Sequence, residues 1–301
     1  MKKRVLSAMP PQTFAEGALD AAQQTGELSY DGYKKVWSDE FNGDSLNRAD
    51  WNVETHEKGW VNNELQEYVD SAENIQVKDG KLIINPVKKV TDGDTGSTKE
   101  VASYTSGRVS TQNKQTFIYG RFECRAKVPK GQGYLPAFWL MANDENVYGQ
   151  WPRCGEIDCM EVMGQETNKA YGTLHYGNPH SQSQGTYTIT DGADFSDDFH
   201  IYTCDWEPGK ITWYVDGVKY HEESEWHSTT VGKGTLAYPA PFDQPFYIIL
   251  NLAVGGSWVG NPNDETSFEN NPYVIGYVRV YQKDSYDEDV KRPGKISLVM
   301  S

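Results

Sequence analysis

The sequence predicts an all-β domain made of antiparallel strands. From about Tyr33 onward, short runs of β-branched and aromatic residues recur between Gly, Asn, Asp and Pro, which is the pattern of strands joined by turns. Helical periodicity is nearly absent from this region. Because single β sandwiches reach roughly 200–250 residues, a chain of 301 residues fits one large sandwich with a segment at each end.

A three-stranded meander is the clearest group of strands. The strands are predicted at His200–Trp206, Lys210–Val215 and Val218–His221, and Glu207-Pro208-Gly209 and Asp216-Gly217 form the turns. Asp-Gly suits the primed two-residue turn, whose twist matches that of the flanking strands. These segments therefore form two consecutive hairpins.

Four further strands differ in their expected burial. Tyr247–Val254 is almost continuously apolar and should lie deep in a sheet, whereas Gly276–Gln282 alternates and would close the domain. Lys81–Val87 forms another strand. Arg121–Val128 alternates between apolar and charged residues, which predicts one face in the core and one in water. The charged positions are Arg121, Glu123, Arg125 and Lys127.

The strand pattern divides the chain into three parts. Residues 1–32 are polar and Ala-rich and are predicted to be an N-terminal tail with one short helix around Ala15 to Gln24. Residues 33–284 form the β domain, and the charged residues 285–301 form a C-terminal tail. Val5–Met9 is too short for the apolar core of a signal peptide, so an export signal is not expected within this chain.

The charge balance excludes several classes of partner. The chain has 28 Lys plus Arg against 43 Asp plus Glu, a formal charge of −15, which repels nucleic acid and anionic lipid surfaces. No stretch is apolar enough to span a bilayer. The cysteines are too scattered for a disulfide framework or a standard zinc site, and their redox state is left open; they are Cys124, Cys154, Cys159 and Cys204.

The chemistry is concentrated in the segment Trp151–Gly164. Glu156, Asp158 and Glu161 lie in an otherwise apolar, strand-like stretch, where burying carboxylates without partners is costly. In a regular strand Glu161 would face away from Glu156. A β-bulge in the Cys159-Met160 region would absorb one residue and return Glu161 to the face of the other two acids.

Two glutamates on one face suggest a glycosidase. Carboxyl groups ~5–5.5 Å apart suit a retaining enzyme and ~6.5–9.5 Å an inverting one, and the spacing in the sequence does not decide between them. Crowding raises the proton affinity of at least one acid, which provides a protonated acid beside an ionised nucleophile. At this point the roles of Glu156 and Glu161 are interchangeable, and Asp158 orients and tunes both.

The segment Glu-Ile-Asp-Cys-Met-Glu, preceded by Trp-Pro-Arg-Cys-Gly, resembles the catalytic signature of glycoside hydrolase family 16 in the bulged form of laminarinase-like β-1,3-glucanases. The resemblance extends over about residues 36–283. Its further elements are Trp60–Gln66, Ser106–Thr111, Gly120–Glu123, Leu174–Tyr176, Asn251–Gly256 and Tyr277–Tyr281.

The resemblance implies a β-jelly-roll sandwich with an open cleft across its concave sheet. It implies retaining, endo-acting hydrolysis of β-1,3- or mixed-linkage β-1,3-1,4-glucans, with Glu156 as nucleophile, Glu161 as general acid/base and Asp158 as assisting carboxylate. The expected partner is a neutral extracellular polysaccharide, so we expect the protein to be secreted. We also expect it to be a monomer and to need no cofactor. The alternatives are an agarase- or carrageenase-like galactan hydrolase and a non-catalytic glucan-binding module.

A glucan cleft needs aromatic platforms for sugar rings and polar groups for the hydroxyls. The predicted platforms are Trp139, Trp151 and Trp258, and the predicted hydroxyl contacts are Asn62, Arg108 and His175. The tryptophans could instead be core residues, Arg108 could pair with one of the acids, and His175 could be structural.

Two departures from the family pattern affect these expectations. Leu135 stands where related laminarinases often carry a tryptophan, so one platform is missing. The family's structural calcium uses an acid of an Asp-Glu-Phe element and an aspartate before the last strand. Asp39-Glu40-Phe41 is present, but Gly276 stands at the second place. Calcium is therefore only a possibility, and no catalytic metal is expected. Asp92–Gly96 is predicted to be a hairpin tip.

Overall fold

The computed structural model describes residues 21, 24–91, 101–230 and 234–293. These residues form two large antiparallel sheets around one apolar core, with no helix among them. The predicted all-β jelly-roll sandwich is confirmed. The hairpin tip at Asp92–Gly96 and most of the helix expected around Ala15 to Gln24 lie outside the described residues. No described segment is a helix long and apolar enough to cross a membrane.

Twenty-one strands are described. In chain order they are β1 (Tyr33–Asp39), β2 (Asn52–Val53), β3 (Gln66–Tyr68), β4 (Ile75–Lys78), β5 (Lys81–Ile84), β6 (Val87–Thr91), β7 (Val101–Ser106), β8 (Arg108–Ser110), β9 (Thr116–Phe117), β10 (Gly120–Lys127), β11 (Tyr134–Ala142), β12 (Glu156–Glu161), β13 (Lys169–Tyr176), β14 (Ser181–Thr188), β15 (His200–Glu207), β16 (Lys210–Val215), β17 (Val218–Glu223), β18 (Thr229–Thr230), β19 (Gly234–Thr235), β20 (Phe246–Val254) and β21 (Tyr273–Lys283).

The two sheets have long crossovers between strands that are neighbours in space. The first sheet has the order β17-β16-β15-β10-β21-β5-β4, and β1 also pairs with β21. The second sheet has the order β14-β13-β12-β11-β20-β8-β2, and β9 also pairs with β20. A small sheet, β3-β7-β6, and the pair β18-β19 complete the described strands.

Most predicted strands are found where the pattern placed them. The meander forms β15, β16 and β17, and the turn residues Asp216 and Gly217 have φ of 49° and 79°, as the primed turn requires. All nine residues of β20 are buried. The strand predicted at Lys81–Val87 is wrong in extent, because Lys81–Ile84 and Val87–Thr91 belong to different sheets. Pro86 lies between them, where the missing N–H cannot extend a ladder.

The charged face of β10 is not in water, so that prediction is wrong. Arg121, Glu123 and Arg125 are only 8%, 0% and 5% exposed. The chain before β1 covers this face: the Tyr30 hydroxyl donates to Glu123, and Arg125 Nε donates to the carbonyl oxygen of Ala21 at 2.9 Å. The described part of the predicted N-terminal tail therefore packs on the first sheet.

Paired charges make this burial tolerable. Arg121 donates twice to Asp205, at 2.8 and 2.9 Å, and Glu123 also accepts from the Tyr277 hydroxyl at 2.8 Å. Burial raises the pKa of Glu123, and the hydrogen bonds from Tyr30 and Tyr277 oppose that rise. The first sheet thus carries a hydrogen-bonded charge network beneath the N-terminal segment.

The residues at the possible calcium position do not fit that ion. The two Asp39 oxygens accept from Phe41 N at 2.8 Å and Trp51 Nε1 at 2.9 Å. Both Glu40 oxygens accept from Arg279, each at 2.9 Å. A Cβ on Gly276 would lie 2.8 Å from Arg125 Nη1. The Arg125 guanidinium therefore already occupies the space that an aspartate side chain at position 276 would enter.

The four cysteines are all buried, and none of them forms a disulfide.

We expect the Tyr30 hydroxyl to contribute to stability. Tyr30→Phe leaves the buried Glu123 without one donor and should lower the free energy of unfolding by about 2 kcal/mol. Tyr202→Phe is the matched control, because the Tyr202 hydroxyl is buried without a hydrogen-bond partner among the described residues; its removal should be neutral or stabilising. Urea denaturation of both variants measures the difference, and equal losses would contradict the assigned role of Tyr30.

Candidate active site

A β-bulge in β12 brings the three acids to one face. Against β11, Phe138 pairs with Met160 and Trp139 pairs with Asp158, so Cys159 is the extra residue. The register against β13 also shifts between Asp158 and Glu161. The predicted bulge is confirmed, and with it the placement of Glu161 on the face of the other two acids.

A tryptophan from the opposite sheet supports the bulge. The Trp213 indole Nε1 donates to the backbone oxygen of Asp158 at 2.8 Å. On β13, Gly172 lies between the partners of Asp158 and Glu161, and a Cβ there would approach Trp213 Cδ1 to 2.4 Å. Only glycine therefore allows the indole this close to the strand opposite the bulge. Trp213 is fully buried.

Glu156 is held from the side by an exposed indole. Trp151 is 46% exposed, and its Nε1 donates to Glu156 Oε2 at 2.6 Å. One edge of the carboxylate is thereby fixed while the side chain stays partly accessible. The predicted site residue Trp151 therefore contacts the acid cluster directly, and nearly half of its side chain remains exposed.

Asp158 is the most buried of the three acids, and two histidine rings extend from it in space. It is 2% exposed, and its Oδ2 lies 3.2 Å from His175 Nε2. His175 Nδ1 is in turn 2.9 Å from His180 Nε2, and the two rings stack at 5.1 Å. His180 also packs against Trp151, with ring centroids 5.0 Å apart. His180 was not among the site residues predicted from the sequence.

Burial raises the pKa of all three acids, and the charges of neighbouring acids add to the rise at Glu156 and Glu161. Burial, then the Asp158 charge, raises the pKa of Glu156 to about 8. Burial raises the pKa of Asp158 to about 7. Burial, followed by the charges of Asp158, Glu156 and Glu64, raises the pKa of Glu161 well above its ordinary value. These shifts agree with the proton sharing expected from crowded acids.

Arg108 does not pair with any of the three acids. It is 6% exposed and forms an ion pair with Glu54. Its guanidinium carbon lies 4.9 Å from the ring centroid of Trp139 and 5.3 Å from that of Trp60. Trp139 Nε1 donates to Asn251 Oδ1 at 2.7 Å. Arg108 therefore positions two aromatic rings beside the acid-bearing strands.

Trp60 is a candidate ligand platform that the sequence analysis did not select. It is 45% exposed, and its ring stacks on His56 at 3.5 Å with an interplanar angle of 4°. It belongs to the family-like element Trp60–Gln66, but a tryptophan preceding a loop gives no indication of its exposure. Only the tertiary structure shows that the ring stays 45% exposed while His56 and Arg108 pack against it.

Asn62 contacts Glu64, a fourth acid whose charge acts on the cluster. Its Nδ2 lies 3.5 Å from Glu64 Oε1, and Gln66 donates to the other Glu64 oxygen at 2.7 Å. Glu64 is 8% exposed, and its charge acts on Glu161. The backbone of Asn62 adopts a positive φ of 52°, which Asn tolerates better than most residues. Asn62 thus lies at the Glu161 end of the cluster.

The remaining predicted platform, Trp258, lies at the same end. It is 44% exposed, and its ring contacts Tyr171 edge-on at 5.5 Å. Tyr171 is the strand partner of Glu161. Trp151 and Trp258 therefore flank the acids at opposite ends. The structure brings all nine predicted site residues to one region of the second sheet and its loops.

Three side chains of this region could together hold a metal ion. One donor atom each of Glu156, Asp158 and His175 lies within 4.8 Å of the others. The absence of a catalytic metal stays a prediction.

Comparisons with known proteins agree with this geometry. The profile of "Glycosyl hydrolases family 16" matches residues 62–270. The chain is 40% identical over 255 residues to a glucan endo-1,3-beta-glucosidase of Cryptopygus antarcticus, covering 81% of this chain and 90% of the relative. It is 39% identical over 267 residues to glucan endo-1,3-beta-glucosidase A1 of Niallia circulans, covering 84% of this chain but only 38% of that longer protein.

The same similarity holds in three dimensions. The solved endo-beta-1,3-glucanase of Pyrococcus furiosus superposes with a TM-score of 0.70 at 37% identity, covering 84% of this chain and 95% of that one. Since the family profile, the relatives and the bulged acid strand all agree, the chain belongs to glycosyl hydrolases family 16.

Proposed function

We propose that the protein is an endo-acting β-glucanase that hydrolyses internal linkages of β-1,3-glucans and mixed-linkage β-1,3-1,4-glucans with retention. The observation that carries this proposal is the bulge that puts Glu156, Asp158 and Glu161 on one face. It is supported by relatives whose names describe endo-acting glucan hydrolysis. The open groove expected along this face stays a prediction.

In this mechanism the two glutamates act on the same glycosidic bond. Glu161, whose environment favours its protonated form, donates a proton to the leaving oxygen as the bond to the anomeric carbon breaks. Ionised Glu156 attacks that carbon and forms a glycosyl ester. Glu161 then removes a proton from water, which attacks the same carbon and releases Glu156. Net retention of configuration follows from the two displacements.

The neighbours of Glu156 serve this cycle. Trp151 Nε1, at 2.6 Å, stabilises the carboxylate and restricts its rotation. Asp158 opposes this stabilisation of the Glu156 carboxylate, because its charge raises the proton affinity of Glu156. The nucleophile is therefore less stabilised as a free anion than an exposed glutamate, which favours ester formation. Asp158 is the assisting carboxylate, as the resemblance implied.

The charges around the site favour a neutral substrate. Glu54 neutralises Arg108, and the chain as a whole carries a formal charge of −15. An anionic galactan would be repelled here, which argues against the carrageenase-like alternative. A pure binding module would have no need for three crowded, desolvated acids. A large neutral polymer cannot enter most cells, so we propose that the protein acts outside the cell.

Removal of either glutamate tests the function. We expect Glu156→Gln and Glu161→Gln each to lower kcat on laminarin by several orders of magnitude while oligosaccharide binding persists. Reducing-sugar release is measured side by side on laminarin, barley glucan and agarose, and NMR of the first product anomer reports the stereochemistry. Full activity in Glu156→Gln, or an inverted anomer, would contradict the assigned mechanism.

Removal of the Asp158 charge should change the pH profile. In Asp158→Asn, Glu156 no longer faces a neighbouring anion, so its pKa should fall from about 8. The acid limb of the kcat/KM profile should therefore move to lower pH, although kcat itself falls. Initial rates across a pH series measure the shift. A limb that stays in place would show that Asp158 does not tune the nucleophile.

Trp213 should support activity through the bulge without touching the substrate. Trp213→Phe removes the hydrogen bond to the Asp158 oxygen and should lower both the free energy of unfolding, by about 2–3 kcal/mol, and kcat. Trp226→Phe is the matched control, because Trp226 is equally buried and donates to the Pro239 oxygen at 2.9 Å, away from the acids. Thermal unfolding and kcat are compared; similar kcat values in the two variants would contradict the role of Trp213.

A further inference from the structure

We propose that Glu156, Asp158 and His175 form a binding site for a divalent transition-metal ion such as Zn²⁺, and that this ion competes with the polysaccharide. The inference deepens the proposed function, because the same carboxylates would bind either the ion or the reacting sugar. The ion would be a reversible inhibitor and takes no part in the hydrolysis.

The donor set selects the class of ion. It offers one imidazole nitrogen and two carboxylate oxygens, with one donor atom from each residue within 4.8 Å of the others. Zinc accepts this mixture in tetrahedral sites with bonds of about 2.0–2.2 Å, which puts neighbouring donors ~3.3 Å apart. The 3.2 Å between His175 Nε2 and Asp158 Oδ2 is close to that spacing. Calcium prefers six to eight oxygens, which these residues do not supply.

One oxygen of Asp158 lies in this site without a hydrogen bond. Asp158 is 2% exposed, and its Oδ2 has no hydrogen-bond partner among the described residues, although His175 Nε2 lies nearby. A buried carboxylate oxygen without a donor is costly. A bound cation would satisfy it, while the cation's remaining coordination positions could be filled by Glu156 and water.

The surrounding groups already orient the donors. A histidine that binds a metal through one ring nitrogen usually forms a hydrogen bond through the other. His175 has such a partner, since its Nδ1 lies 2.9 Å from His180 Nε2. Trp151 similarly donates to one oxygen of Glu156. These outer contacts restrict the rotation of both side chains.

Direct metal titration tests the site. Chelator-treated protein is titrated with ZnCl₂ by calorimetry at fixed pH, and we expect one ion per chain. His175→Gln and Asp158→Asn should each weaken binding at least tenfold. His200→Gln is the matched control, because it breaks another histidine–carboxylate contact, His200 Nδ1 to Asp216 Oδ2 at 2.7 Å, and should leave the affinity unchanged. Unchanged affinity in both site variants would overturn the proposal.

His180→Ala gives a second measurement that does not depend on buried substitutions. The ring of His180 is exposed, so this variant should fold, and loss of the outer contact should weaken Zn²⁺ binding about tenfold. Wild-type affinity in His180→Ala would show that the outer contact does not orient His175 for a metal. Titration with CaCl₂ should give no binding that is sensitive to His175.

Competition is tested in Glu161→Gln, which keeps all three donors. Laminari-oligosaccharide should bind this variant at least tenfold more weakly at saturating Zn²⁺, and the sugar should weaken Zn²⁺ binding equally. Independent binding of ion and sugar would overturn the competition. The metal titrations use no substrate, so failure of the proposed hydrolysis would leave their outcome intact.

Discussion

The arrangement of the three acids depends on one local irregularity, the extra residue Cys159 in β12. Without it, the period of two along a strand would direct Glu161 into the core while Glu156 and Asp158 faced outward. The bulge leaves part of the backbone without a ladder partner. The Asp158 oxygen instead accepts from Trp213, a residue of the opposite sheet. The placement of the acids is therefore coupled to the packing of the sandwich as a whole.

The buried acids of the two sheets differ in their partners. On the first sheet, Glu123 is surrounded by Tyr30 and Tyr277, and Arg121 and Asp205 neutralise one another. On the second sheet, no lysine or arginine ion pair is described for the three acids. Burial raises the pKa of each, and neighbouring charges raise the pKa of Glu156 and Glu161 further. Paired acids stabilise the fold, whereas the unpaired acids keep the proton affinity that acid–base chemistry uses.

On the first sheet, arginine side chains lie at the possible calcium position. Arg125 approaches Gly276, and Arg279 occupies both oxygens of Glu40. Arg279 also donates to the backbone oxygens of Thr25 and Gly26. Side-chain cations and the N-terminal segment thus occupy the region where the resemblance implied a calcium ion, and they connect the first strand to the last.

The sequence by itself determined the fold class, the strands with clean alternation or turn signals, and the three acids. The bulge also followed from the sequence, because Glu156 and Glu161 are an odd number of residues apart and both need the same face. Only the tertiary structure decided the contacts that such patterns do not encode: the cover over Glu123, the ion pair of Arg108 with Glu54, the stacking of Trp60 on His56 and the pairing of His175 with His180. Alternation along a strand reports which side a residue faces, but another segment of the chain decides whether that side meets water.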